Sequence, residues 1–415
     1  MMYGMSLLFG QKERREIGNR TRRAMEEAIK QGKYPAKTPM GYNKTEDKKL
    51  EINIMEAEVI KDIFELYSKG NNASQVAKIM KDNNIFNIIK ISNSNNFNVS
   101  LIDYGASIYN IYLDNKLLTV CPKDISYLLF PGSPYGKTIG RIAGRIENAQ
   151  IDIDGTIYQL EQSKFSKDCL HCGSSNFANK QFDYTVKCFD DKIVVIFHYL
   201  SLEKEAILPG DIDVNVIYTI TKDNKIKIEY KAFSSKNTYL NITNHAYYNL
   251  SGDFVSGAEN QYLQINATKM MECDEDLNPQ KVISCDNHFN FKEEKLIKEN
   301  LFTREVIFRK NRGFDDAYIL DNDKNNFAAS IYSPISNIRM NMYTNYPGLV
   351  FYSGSYAPFM ELIEPVSNKF LYDAICLEAQ FIPNGYKIFE KNYMYLKKNE
   401  EYNYYIELEF LKEGI

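Results

Sequence analysis

Four histidines, two spaced arginines and a few carboxylates carry the chemistry available to this chain. His245 stands in "YLNITNHAYYNLSG", between Asn244 and a run of tyrosines. An imidazole flanked by amides and aromatic rings suits a sugar pocket, where rings stack on C–H faces and amides bond hydroxyls. The same spacing also fits a structural histidine. His171 lies in "DCLHCGSSNF", a loop rich in Gly, Ser and Asn. His198 lies inside the apolar strand pattern "VVIFHYL" and reads as a half-buried strand residue. Glu378, in "DAICLEAQFIPNG", ends an apolar strand pattern and shares a strand face with Cys376 and Gln380. It is either a solvated strand carboxylate or a desolvated general base with a raised pKa. In "GKTIGRIAGRI", Arg141 and Arg145 are either surface arginines near a turn or groups aimed at substrate oxygens.

Metal and nucleotide chemistry are less well supported. Cys169 and Cys172 form C-x-x-C, and Cys285 with His288 forms C-x-x-H. Four such groups would suit tetrahedral zinc. The two halves are far apart in sequence, however, and no metal site is expected. No phosphate-binding or dinucleotide fingerprint occurs, so no nucleotide cofactor is expected.

The elements that must position these groups are mostly strands. From residue 86 onward, short apolar runs alternate with Asn, Asp, Gly and Ser clusters, as in "FNIIKIS", "KIVVIFHYL" and "YNYYIELEFL". In "VNVIYTITKDNKIKIEYKAF" two runs of strict alternation flank the turn "TKDNK", which predicts a hairpin. Many short strands with little helix imply a β-sandwich or barrel. The first 85 residues differ. Residues 13–33 read as a basic helix, 52–70 as an amphipathic helix stopped by Gly70, and 74–84 as a third helix capped by Ser74.

Composition bounds the partners. The chain has 415 residues and a formal net charge of -4, which removes a global electrostatic case for nucleic acid but leaves a local one open. No apolar run approaches the roughly 20 residues of a membrane helix. The charges of the N-terminus follow a very short apolar stretch, the reverse of a secretory leader, so a cytoplasmic protein is expected. The odd count of 7 Cys at irregular spacing gives no disulfide framework.

In order, "YGASI", "GKTIGRIAGRI", "LHCG", "LPGDIDVNVIYTI", "TNHAYYNLSG", "RGFDDAYIL", "TNYPGLVFYSG" and "LEAQFIP" resemble the aldose 1-epimerases, or galactose mutarotases, over residues 86–415. The resemblance implies a large antiparallel β-supersandwich and cofactor-free interconversion of the α and β anomers of aldohexoses such as galactose or glucose. It implies Glu378 as the catalytic base and His245 as the general acid. It implies that Arg145, His171 and Asp315 hold the sugar hydroxyls. Three positions depart from the family pattern: Cys172 and Gly144 stand where Gly and Asn are usual, and Asn384 where Asp is common. A side chain at Cys172 is expected to crowd the loop of His171.

In order, "ERREIGNRTRRAMEEAIKQGKYPAKTPMGY" and "EAEVIKDIFELYSKG" make residues 10–85 resemble something else, the stretch that follows the catalytic domain of large serine recombinases. The serine domain itself has no counterpart in the sequence, so strand cleavage is not expected. Two other readings use the same residues: a sugar-sensing DNA-binding protein acting through the N-terminal helices, and a carbohydrate-binding protein without turnover. Specific DNA binding is disfavoured because the second predicted helix carries many acidic residues and offers no sustained positive face.

Overall fold

The computed structural model describes residues 42–44, 50–52 and 86–414, apart from 124, 130–132, 164–165, 253–255, 322–323, 356–371 and 391. Contacts divide the chain into two units, Met1–Ile85 and Phe86–Ile415. In the first unit, strands Tyr42–Lys44 and Leu50–Ile52 pair antiparallel, with Tyr42 opposite Ile52. Ile52 is therefore extended rather than the first residue of a helix. The rest of the three predicted helices lies outside the described residues.

Alternation of apolar residues builds the second unit. In the predicted hairpin, strands Ile212–Thr221 and Lys225–Ser234 pair with Val216 opposite Tyr230, Tyr218 opposite Ile228 and Ile220 opposite Ile226. These side chains sit on one face and are buried, because a period of two puts every second residue on the same side of a strand. The next strand inward is the C-terminal one, Tyr402–Lys412, which sets Ile406 against Ile228 and Leu408 against Ile226. On its other edge it pairs with Ile338–Thr344, where Met342 meets Leu408. The result is a nine-stranded antiparallel sheet.

A five-stranded sheet runs in the order Pro279–Ser284, Lys269–Cys273, Asp315–Ile319, Gly348–Tyr352 and Cys376–Gln380. A four-stranded sheet comprises Ile88–Ser92, Phe97–Ile102, Ser107–Leu113 and Lys116–Leu117. One hydrophobic core joins inward residues of all three: Val216 and Ile228, then Leu349, Phe351 and Leu377, then Val99 and Ile111. This is the β-supersandwich expected from the sequence. Helices among the described residues are single turns, such as Ile297–Leu301.

Candidate active site

Glu378 is the middle residue of Cys376–Gln380, the edge strand of the five-stranded sheet, and lies opposite Val350. All five residues of the strand are buried, and Glu378 is 3 % exposed. A carboxyl group in that position is cut off from water. Burial pushes its pKa well above the usual carboxylate range, and the nearby Asp315 carboxyl adds to the rise.

His245 comes from the neighbouring segment, which is bridged to the start of the Glu378 strand by the antiparallel pair Tyr248 and Ile375. The short strand Thr243–Asn244 pairs with Thr138–Ile139. The His245 amide donates to the Lys137 carbonyl at 2.9 Å, and the Gly136 amide donates to the His245 carbonyl at 2.9 Å. The residues before it are equally fixed. Tyr346 donates its hydroxyl to the Ile242 carbonyl at 2.6 Å, while the Ile242 amide donates to Tyr402 at 3.1 Å. The Thr243 hydroxyl donates to the Ala379 carbonyl at 2.9 Å, tying this segment to the strand of Glu378. With its backbone so held, His245 places Nε2 3.4 Å from Glu378 Oε1. Its ring stacks on Tyr247, with centroids 5.1 Å apart and planes 24° from parallel. Burial draws the His245 pKa down to about 4, and an interaction with its own backbone opposes this.

His171 meets His245 edge to face, with ring centroids 5.6 Å apart. Its Nδ1 accepts the Gly144 amide at 3.0 Å. That bond makes Nδ1 an acceptor, so in the neutral ring the proton sits on Nε2. Burial draws the His171 pKa well below the usual histidine value, and His245 and Arg145 add to the fall. Arg145 Nη2 lies 3.4 Å from Asp315 Oδ2. Burial raises the Asp315 pKa; the Arg145 charge opposes it and Asp316 reinforces it. Asp316 itself takes both guanidinium nitrogens of Arg309, at 2.7 and 2.8 Å. The fold thus brings Glu378, His245 and His171 together, sets Arg145 against Asp315, and places Asp315 where its charge is felt by Glu378.

The two arginines of "GRIAGR" part company. Arg141 is neither a surface residue nor aimed at the site: it is 1 % exposed. It donates to the Ser201 hydroxyl at 3.0 Å and to the carbonyls of Ser201 (2.7 Å), Leu208 (3.2 Å) and Gly210 (2.8 Å). It holds the loop 202–211 against the sheet. His198 is a half-buried strand residue, as its pattern predicts, and lies 3.0 Å from Asp213.

The departures from the family pattern have structural accounts. Cys172 has left-handed backbone, φ 58°, and its thiol accepts the Ile142 amide at 3.2 Å. At Gly144, φ is +85° and an added Cβ would fall 2.5 Å from Pro383 Cγ. Asn384 accepts the Glu147 amide at 3.1 Å and donates to Asn278 at 3.3 Å, and Asn278 donates to Asp168 at 2.9 Å. This buried polar chain links the exit of the Glu378 strand to the turns on either side of Arg145 and His171. Among the described residues, no three His, Cys, Asp or Glu side chains are grouped as metal ligands. His288 faces Glu305 at 3.6 Å instead.

Two contributors are not evident from the sequence. Asn241, 0 % exposed, donates to the carbonyls of Ala143 (3.2 Å) and Phe381 (3.1 Å) and accepts the Phe381 amide at 2.9 Å. It clips the Arg145 segment to the end of the Glu378 strand. Its one signal is an Asn set between Leu240 and Ile242. Tyr247 is visible only as one of a pair of tyrosines, with nothing to show that its ring lies on His245.

Comparison with known proteins agrees with this architecture. The aldose 1-epimerase family model matches residues 87–409. The aldose 1-epimerase of Escherichia coli (strain K12) is 27% identical over an alignment of 354 residues that covers 82% of this chain and 99% of that protein. The galactose mutarotase of Rattus norvegicus is 25% identical over an alignment of 321 residues that covers 75% of this chain and 90% of that protein. The crystal structure of a galactose 1-epimerase from Lactobacillus acidophilus NCFM superposes with a TM-score of 0.70 at 24% identity, covering 79% of this chain and 99% of that one. The chain belongs to the aldose 1-epimerase family, isomerases that interconvert sugar anomers.

Proposed function

We propose that this chain is an aldose 1-epimerase acting on an aldohexose such as galactose or glucose, with Glu378 as base and His245 as acid. The observation that carries the reading is the buried carboxyl–imidazole pair, 3.4 Å apart, with His171 and the Arg145–Asp315 pair beside it. Anomer exchange requires the hemiacetal to open. Glu378 takes the proton of the C1 hydroxyl while His245 gives one to the ring oxygen. The C1–C2 bond rotates, and the reverse transfers close the ring on the other face. Each positioned acid or base contributes roughly 10²–10⁴-fold. Arg145, His171 and Asp315 orient the sugar through its hydroxyls.

The buried pair also explains how one protonation state serves both directions. Burial favours neutral Glu378 and neutral His245, and that pair holds one proton in total. The reactive arrangement, carboxylate with imidazolium, holds the same number. Moving the proton between the two therefore needs no exchange with solvent. A sugar-binding protein without turnover would need hydroxyl-holding groups but not this desolvated pair.

Residues 10–85 are read as a fragment resembling a recombinase domain that takes no part in the reaction. Only its sequence motifs support that reading, and DNA binding by it is disfavoured by the acidic residues of its second predicted helix. A reducing compartment, the cytoplasm, fits the seven cysteines, all of them free. No helix among the described residues is long and apolar enough to cross a membrane. Polarimetry of freshly dissolved α-galactose and α-glucose tests the activity: the full chain should speed the approach to anomeric equilibrium, and no acceleration with either sugar would refute the proposal.

A further inference from the structure

The turn carrying His171 and the segment carrying Arg145 are joined rung by rung. Cys169 pairs with Ile146 and Leu170 with Arg145 in an antiparallel ladder. His171 extends it, since its amide donates to the Gly144 carbonyl at 2.9 Å and its Nδ1 accepts the Gly144 amide at 3.0 Å. The main chain then leaves the ladder. His171, Cys172 and Gly173 all adopt left-handed backbone, with φ of 53°, 58° and 58°. Only the last of these suits that conformation without a side-chain clash.

Beyond this point the facing segment still presents one amide, that of Ile142, a residue only 1 % exposed. Its acceptor is the Cys172 thiol, at 3.2 Å. A glycine at 172 would relieve the backbone but leave this buried amide without that acceptor. The opposite choice is made across the ladder. Gly144, with φ +85° and no room for a Cβ beside Pro383, lets its bare backbone bond His171 twice.

We infer that Cys172 is a positioning residue whose thiol supplies the last rung between these segments and so fixes His171 relative to Arg145. The inference rests on the reading of His171 as a group that holds the sugar. Cys172 acts through the histidine and touches no substrate itself. The left-handed strain at Cys172 persists because the thiol is needed at that place.

The test compares the full chain with Cys172→Ser, Cys172→Ala and Cys172→Gly, using polarimetric KM for α-galactose or α-glucose alongside Tm. The serine hydroxyl is again an acceptor and should keep KM within about twofold, whereas the Ala and Gly variants should raise it about three- to tenfold. Glycine should be at least as stable as alanine, because it removes the left-handed strain. KM would then follow the acceptor and not the stability. An unchanged KM in Cys172→Gly, or a KM that simply tracks Tm, would overturn the inference. A second readout needs no activity: the imidazole ¹⁵N spectrum should show one fixed His171 tautomer in the unaltered chain and tautomer averaging in Cys172→Ala. Identical spectra would also overturn it. A parent chain with no mutarotase activity would count against the enzymatic reading, while the spectra would still decide the role of Cys172.

Discussion

His245 Nε2 and Glu378 Oε1 lie 3.4 Å apart, His245 just past the two-residue strand Thr243–Asn244 and Glu378 on the edge of the five-stranded sheet. A sugar placed against this pair meets a proton acceptor and a proton donor on two adjacent, hydrogen-bonded segments. Motion of one segment against the other is limited by the Thr243–Ala379 bond and by the paired backbone bonds of Tyr248 and Ile375.

Glu378→Gln keeps the shape of the side chain and removes the base. Mutarotation should fall by roughly 10³-fold or more, while galactose affinity measured by calorimetry stays within about threefold. Near-normal turnover in this variant would reject Glu378 as base.

The same variant should gain stability above mildly acidic pH. The folded Glu378 pKa is raised by burial, so the native state holds a proton that the unfolded chain has released. Native stability therefore declines as pH rises from the ordinary carboxylate pKa toward the raised one. Glutamine has no such proton. Thermal melts between pH 5 and 8 should show Tm of Glu378→Gln above that of the unaltered chain, with the gap widening with pH. Parallel curves would mean that the carboxyl is not desolvated.

The pH dependence of kcat/KM should report the one-proton state of the pair. On the acid side, activity should fall near pH 4, where His245 takes a proton while Glu378 is still protonated. The alkaline limit should lie well above the usual carboxylate range, where Glu378 loses its proton. An acid limb near pH 6.5 would indicate a solvated His245 instead.

Asp315→Asn should raise KM about tenfold and change kcat less, because it weakens orientation and not proton transfer. Arg145→Lys should do the same, since a lysine cannot reproduce the guanidinium fork. Progress curves at several sugar concentrations separate the two constants. A loss confined to kcat would assign these residues to the chemical step.

Arg141→Met tests the other arginine. It should cost about 3 kcal/mol or more of stability, because the carbonyls of Ser201, Leu208 and Gly210 lose a buried donor. Denaturant melts give the value, and a change below about 0.5 kcal/mol would contradict the buried staple.

Much of the fold and of the site is legible in the order of the amino acids. The alternation in residues 212–234 specifies a hairpin because both of its strands are local and one face of each is apolar. Glu378 stands out as a carboxyl in an apolar strand pattern and His245 as an imidazole among amides and aromatic rings, but neither pattern alone separates a task from a structural place, as His198 in its apolar run shows. Arg141 and Arg145 are not separable in this way, since what divides them is the loop 202–211 wrapping round one of them, a contact some sixty residues away in sequence. The role of Cys172 is hidden for a different reason. A side chain in a Gly-like position reads as an intrusion until the backbone angle and the orphan amide facing it are both known.

The place of the strand Tyr402–Lys412 bears on how the molecule is made. It lies between Lys225–Ser234 and Ile338–Thr344, so the halves of the large sheet on either side of it meet only through residues synthesised after both. On the ribosome, the earlier strands emerge with a gap at their centre and two long edges open to mispairing. The sheet closes in a late step, when Tyr402–Lys412 fills the gap and covers both edges at once.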